Sequence, residues 1–276
     1  MSFAPVVPLS GYGGWAFLKR TMESQKAAFA ASPATKTDEA WFRERIGSIT
    51  RAEDLVADRR LLKVALGAFG LDGGINNKFF IQKVLESRTL DTGALANRLA
   101  DKQYQKLAQA FGFADFATPR TQLSDFADRI LRDYGTRQFE IAVGAQNDDL
   151  RLAMHAEREL PVLALSTTTQ DTKWFTIMGS APLRQVFQTA FGLPTGFGAL
   201  DLDQQLATLK SRAAQVFGDS DVAQFTDPAQ METLLRRFLA RSDAAAAVSP
   251  TARGAAALQL LQAGQQSAGN FLSLLR

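Results

Sequence analysis

Residues 61–71 read LLKVALGAFGL, and residues 183–193 read LRQVFQTAFGL. In both, apolar residues recur three and four positions apart, at Leu61, Val64 and Ala68 and again at Leu183, Val186 and Ala190, before each run closes on Phe-Gly-Leu. That spacing lines one face of an α-helix. A glycine just past the last apolar residue ends a helix, because glycine adopts the left-handed conformation without the steric cost a Cβ brings. Phe111-Gly112 and Phe217-Gly218 repeat the same ending, and Gln109-Ala110-Phe111-Gly112-Phe113 is a shorter echo. These helix ends predict an all-α, multi-helix domain of orthogonal or bundle-like packing. The agreement of the two longer runs raises duplication of a small helical unit as its origin. Amphipathic helices that end in glycine also resemble one another without common descent.

Helix starts are legible as well. Ser32-Pro33, Thr118-Pro119, Asp227-Pro228 and Ser249-Pro250 each set a capping side chain before a proline at the first helical position, and Thr50 with Glu53 has the form of a capping box. The pattern predicts helices near residues 13–31, 37–47, 51–69, 77–87, 101–111, 119–134, 137–159, 172–178, 181–191, 201–217, 228–241 and 250–275. Residues 161–165 (PVLAL) read as a short strand or as a helix end. The organisation expected is an extended arm over 1–12, interrupted by Pro5 and Pro8, a helical globular domain over 13–241, a linker over 242–253 (SDAAAAVSPTAR) and a C-terminal helix over 254–276.

The chain has 276 residues, 46% of them hydrophobic, with 20 Phe against three Tyr and three Trp. Phe carries area without a polar handle, so these rings are expected in a core. The 31 basic and 28 acidic residues leave a formal charge of +3 and are interspersed, as on solvated helix faces, which argues against nucleic-acid binding. No cysteine is present, so disulfides, thiolate nucleophiles and cysteine-bound metals are excluded. The first residues lack the basic start and unbroken apolar run of a secretory signal, which points to synthesis in the cytoplasm and leaves open export without a cleaved signal.

Catalytic chemistry finds little support. His155, the only histidine, lies in Met154-His155-Ala156-Glu157-Arg158-Glu159 and reads as part of a charged helix surface. The carboxylate pairs Asp148/Asp149, Glu157/Glu159, Asp201/Asp203 and Asp219/Asp221 would suit acid–base work only if burial separated their pKa values; the latter two stand where helices begin and read as caps. The glycine-rich pieces at Gly11–Gly14, Gly73-Gly74 and Gly196–Gly198 follow no strand and precede no Lys-Ser/Thr pair, so they read as turns. No catalytic residue, metal or cofactor is expected.

The tail is different. From Gly254 to Leu275 the sequence GAAALQLLQAGQQSAGNFLSLL holds no charge, yet its glutamines and asparagine make it too polar to span a membrane. Read as a helix, Gly254, Ala257, Leu261, Gly264, Ala268, Phe271 and Leu275 form a seam at alternating three- and four-residue spacing, small enough for a partner helix to approach closely. Leu261, Ala268, Phe271, Leu272 and Leu275 are the expected partner-binding residues, together with Trp15 where the arm meets the first helix.

Two resemblances bear on function. Leu272-Ser273-Leu274-Leu275-Arg276, with the Gln-, Ala- and Asn-bearing residues before it, looks like the end of a bacterial flagellin, a likeness confined to about a dozen residues. Gly13-Gly14-Trp15-Ala16-Phe17-Leu18, Asp58-Arg59-Arg60-Leu61 through Ala68-Phe69-Gly70-Leu71, and Lys78-Phe79-Phe80 with Val84-Leu85 resemble an uncharacterised bacterial family, domain of unknown function 1217, whose genes tend to lie among flagellar genes. That resemblance implies no reaction, cofactor or catalytic residue. The expectation is a non-enzymatic flagellum-associated structural or assembly protein whose partners are proteins, flagellar components or copies of itself. The alternative is a soluble cytoplasmic helical adaptor or export chaperone. An enzyme built on a carboxylate site is the third and weakest possibility.

Overall fold

A computed structural model describes residues 4–247. Among these residues the protein is all-α, with α1 (Gly11–Ala30), α2 (Pro33–Arg45), α3 (Ala52–Ala57), α4 (Arg59–Phe69), α5 (Lys78–Leu85), α6 (Leu95–Arg98), α7 (Lys102–Phe111), α8 (Phe126–Gly144), α9 (Asp148–Ala164), α10 (Gln170–Gly179), α11 (Ala181–Phe191), α12 (Leu202–Phe217) and α13 (Pro228–Ala247). The four Phe-Gly endings all terminate helices, and Gly70, Gly112, Gly192 and Gly218 all have positive φ. In α4 the amide of Leu71 donates to the Leu66 carbonyl and that of Gly70 to Gly67; in α11 Leu193 donates to Gln188 and Gly192 to Thr189. Both echoed runs therefore close in the same Schellman motif, which satisfies carbonyls that the helix leaves open.

Among the described residues two large hydrophobic cores result, with a small third cluster of Val84, Ala96 and Ala108 between α5, α6 and α7. The first gathers Phe42, Leu55, Leu61, Leu62, Leu66, Phe111, Phe126, Ile130 and Tyr134 from α2 to the first half of α8. The second gathers Trp15 and Leu18 from α1, Phe139 and Val143 from the second half of α8, and residues of α9 to α13 such as Trp174, Phe187 and Phe238. Helix α8 thus belongs to both. Phe187 is the hub of the second core, with Trp174, Phe191 and Phe225 edge-on at 5.3, 5.6 and 5.4 Å. Most phenylalanines are interior as expected; Phe79, at 74% exposed, Phe116 and Phe175 are exceptions.

The order of elements repeats along with the sequence echo. Helices α3 and α4, a 3₁₀ turn at Asp72–Gly74, α7, a 3₁₀ turn at Arg120–Gln122 and α8 have counterparts in α10 and α11, the turn at Thr195–Ala199, α12, the turn at Val222–Thr226 and α13. Helix α2 packs on α4 and α8 as α9 packs on α11 and α13. Helices α5 and α6 have no counterpart. A Cβ on Gly70 would lie 3.0 Å from Arg137 of α8, and one on Gly192 would strike Arg241 of α13, so each echoed cap is covered by an arginine of the helix that closes its half.

Several boundaries differ from expectation for local reasons. The run 51–69 is broken at Asp58, whose carboxylate accepts the amides of Arg60 and Leu61 at 2.8 and 3.0 Å and the Trp41 indole at 3.0 Å, and so starts a new helix. Thr50 makes no cap; α3 begins after Arg51. Pro119 opens only a 3₁₀ turn, and the break expected near 135 falls at 145–147, where Asn147 accepts the Leu150 amide. Residues 161–164 are helical, with Pro161 inside the end of α9. The first helix begins at Gly11, within the expected arm. The segment expected to be a linker from 242 continues α13 through Ala247, as a run of four alanines favours. The expected helix over 250–275 lies outside the described residues.

Candidate functional site

Of the residues the sequence nominated for partner binding, Trp15 is in the second core with no exposed surface. The amphipathic pattern of α1 places it inward, where Lys19 stands 5.6 Å from its ring. Its indole N–H has no hydrogen-bond partner among the described residues. The ring is therefore a packing element of this fold and presents no face to a partner. Leu261, Ala268, Phe271, Leu272 and Leu275 lie outside the described residues.

The structure does bring together, at one end of the molecule, four segments far apart in sequence: residues 4–10, the start of α1, the α8–α9 turn and the end of α13. Residues 4–10 are non-helical and run back along α1. The Val6 amide donates to Gln25 Oε1 at 2.7 Å, and Gln25 Nε2 donates to the Val6 carbonyl at 3.1 Å and to Thr21 Oγ1 at 2.8 Å. Gln146, in the α8–α9 turn, donates to the Pro5 carbonyl. Ser242 of α13 donates to Asp149 at 2.6 Å. Two glycines make this possible. Gly11 has a φ of +59° and lies against the Asp243 carboxylate, and Gly14 leaves room for the Leu9 carbonyl, which a Cβ would overlap.

A second polar cluster occupies the α8–α9 seam, where the sequence suggested an ordinary charged surface. Arg158 holds Glu140 bidentately, Nε to Oε1 at 2.8 Å and Nη2 to Oε2 at 3.0 Å, and also pairs with Glu159. Glu159 in turn meets Arg137 at 3.3 Å and Lys106 of α7 at 3.6 Å. Burial alone would raise the Glu159 pKa, but Lys106, Arg158 and Arg137 together hold it below the usual carboxylate range. His155 Nδ1 lies 3.3 Å from Arg158 Nη2. Burial first, and then the Arg158 charge, lower the His155 pKa to about 4, so its ring is neutral at pH 7 and accepts the Arg158 N–H. The three cations and two carboxylates tie α7, in the first half, to α8 and α9.

The remaining carboxylate pairs do local work. Asp148 pairs with Arg151, Glu157 with Lys19, Asp201 accepts the Asp203 amide, and Asp219 accepts that of Asp221. Among the described residues no group of three or more His, Asp or Glu is placed to hold a metal ion, and no helix is long and apolar enough to cross a membrane.

A family model for proteins of unknown function (DUF1217) matches residues 68–231. The chain belongs to the DUF1217 family. The matched stretch runs from the end of α4 to the start of α13 and so contains the shared helix α8 and the ion cluster. The DUF1217 chain is also similar to a protein from Agrobacterium tumefaciens solved by X-ray crystallography under a structural genomics programme. The identity is 26% and the TM-score 0.70, over 87% of this chain and 98% of the other. No curated protein matches the chain.

The seat of residues 4–10 leaves little trace in the sequence. Its parts, Gln25 and Gln146, are ordinary surface-type residues in sequence, and only the four closely spaced small residues from Ser10 to Gly14 hinted at a close approach.

Proposed function

We propose that this DUF1217 protein is a non-enzymatic, flagellum-associated structural or assembly component that works by helix–helix association through its C-terminal segment. The observation that carries the reading is the charge-free seam from Gly254 to Leu275, with small residues at Gly254, Ala257, Gly264 and Ala268. Such a seam has no charges to repel a neighbouring helix and lets two backbones come close, so it favours burial against another helix over exposure to water. The likeness of residues 265–276 to a flagellin end and the flagellar neighbourhood of the family's genes supply the setting.

The test is deletion of residues 254–276. Motility and co-purification with the flagellar fraction are expected to be lost while the helical content and thermal unfolding of the body stay unchanged. Retained motility in the truncated strain would overturn the reading.

The adaptor or export-chaperone alternative draws on a different observation. Phe79, Leu90 and Leu95 are exposed on and between α5 and α6, the part of the first half without a counterpart in the second. Fractionation separates the two: a structural component sediments with the organelle, and a chaperone stays in the supernatant with its client.

A further inference from the structure

Helices α5 and α6, which have no counterpart in the second half, meet the α7–α8 connection at a corner fixed by side-chain hydrogen bonds. Thr89 donates its amide and its hydroxyl to the two Asp115 oxygens at 2.7 and 2.6 Å. Asn97 donates to the carbonyls of Thr89 and Asp91, on either side of Leu90, at 2.8 and 2.7 Å, and the Ala96 amide donates to Ser87 at 3.0 Å. Leu90, Leu95 and Phe116 each adjoin one of these tethered residues, yet all three are exposed, Leu90 to 81%. Holding apolar side chains in water on an ordered loop sets them in place for a partner before it arrives.

Charge is distributed unevenly around them. Residues 78–120 hold seven of the 31 basic residues and four of the 28 acidic ones, so this stretch carries the whole formal charge of +3 and the rest of the chain is balanced. Three of its four carboxylates serve the local fold: Asp115 holds Thr89, Asp91 accepts the Gly93 amide and Asp101 that of Gln103. Four cations stand at the corner. Arg88 and Arg98 flank Thr89 and Asn97 in sequence, Lys102 donates to the Asn97 carbonyl at 2.8 Å, and Arg120 lies 4.8 Å from the Phe116 ring centre. None of the four makes an ion pair among the described residues.

We propose that this corner docks an acidic amphipathic helix of a partner protein, whose apolar stripe covers Leu90, Leu95 and Phe116 and whose carboxylates meet Arg88, Arg98, Lys102 and Arg120. Charge complementarity selects the acidic partner. An all-α surface offers no strand edge, so the partner must satisfy its own backbone, as a helix does. A membrane surface fits less well, since α5 and α6 are short and Lys78, Gln82, Lys83 and Glu86 occupy the polar positions of α5 where an interfacial helix needs an apolar stripe. The inference gives the adaptor alternative a partner of stated chemistry. It makes no use of the tail, so its test is separate from that of residues 254–276.

Full-length protein carries a solvent-sensitive fluorophore at Thr92→Cys, an exposed position beside Leu90 in a chain otherwise free of cysteine. The probes are a synthetic helical peptide with leucine at alternating three- and four-residue spacing and glutamate on its flanks, the same peptide with lysine for glutamate, and phosphatidylserine vesicles. The glutamate peptide alone is expected to bind. Leu90→Ala with Phe116→Ala should weaken that binding about tenfold or more. Arg88→Glu with Arg98→Glu should transfer binding to the lysine peptide. No binding of the glutamate peptide, equal binding of both peptides, binding to vesicles only, or binding indifferent to both double variants would each overturn the proposal. Circular dichroism checks that the variants are folded, and the charge reversal involves only exposed side chains.

Discussion

Single residues carry much of this architecture. The four glycines that end helices all sit at positive φ, but their surroundings differ, which separates conformational cost from steric cost. Nothing lies within 4 Å of a Cβ built on Gly218, whereas one on Gly192 would strike Arg241. Gly218→Ala should therefore cost about 1 kcal/mol from backbone strain alone. Gly192→Ala should cost more, and chemical denaturation of the two variants measures the difference. His155 makes the second prediction at this scale. Its pKa in the folded chain is about 4, below the 6.5 of an unconstrained histidine, so the unfolded chain binds the proton more readily. Stability from this group is present above pH 6.5 and is lost as the pH falls from there toward 4, by about 3 kcal/mol. His155→Gln should flatten that part of the stability–pH curve; an unchanged curve would show that other groups carry it. The glycine caps were legible in sequence, because a helix end is a local event. The environment of His155 was not, because burial and the charge of Arg137 reach it only through the packing of α8 on α9.

At the scale of elements, α8 stands out because one helix serves two cores. Its first half supplies Ile130, Leu131 and Tyr134 to one core and its second half Phe139 and Val143 to the other. Gly135 sits between these groups, inside the helix, where a Cβ would meet nothing within 4 Å. Glycine in a helix interior has an entropic cost without a packing reason here, so Gly135→Ala should stabilise the protein by about 0.5–1 kcal/mol, read as a raised unfolding midpoint. Sequence placed a helix break near this residue and had no means of seeing that tertiary contacts on either side of Gly135 hold the helix straight through it. By contrast, Gly67 in α4 is indispensable, since a Cβ there would lie 2.8 Å from the Tyr134 ring and push α4 off α8. Capping decided the other boundaries. Asp58 divides a continuous apolar pattern into α3 and α4 because it can satisfy two amides and an indole at once, and only the last of these depends on a distant residue.

For the whole molecule, sharing of α8 and the ion cluster joining α7 to α9 imply that neither half has a complete core alone. Unfolding should then be a single transition. Trp41 reports the first half and Trp174 the second, so single-tryptophan variants should give superimposable denaturation curves; two separated curves would show that the halves are independent units. Along the chain the order of elements repeats, α2–α4, α7 and α8 against α9–α13, beside the echo of LLKVALGAFGL in LRQVFQTAFGL.

What the sequence by itself determined was the all-α class, the approximate extent of most helices and the nature of their ends, because periodicity, caps and left-handed glycines act within a few residues of one another. Tertiary structure alone decided which faces meet. It placed Trp15 inside the body, although its position beside a glycine-rich arm suggested a surface role, and it seated residues 4–10 on glutamines that come from α1 and from a turn 141 positions away from Pro5. Contacts across such separations depend on how helices pack, and no local pattern encodes them.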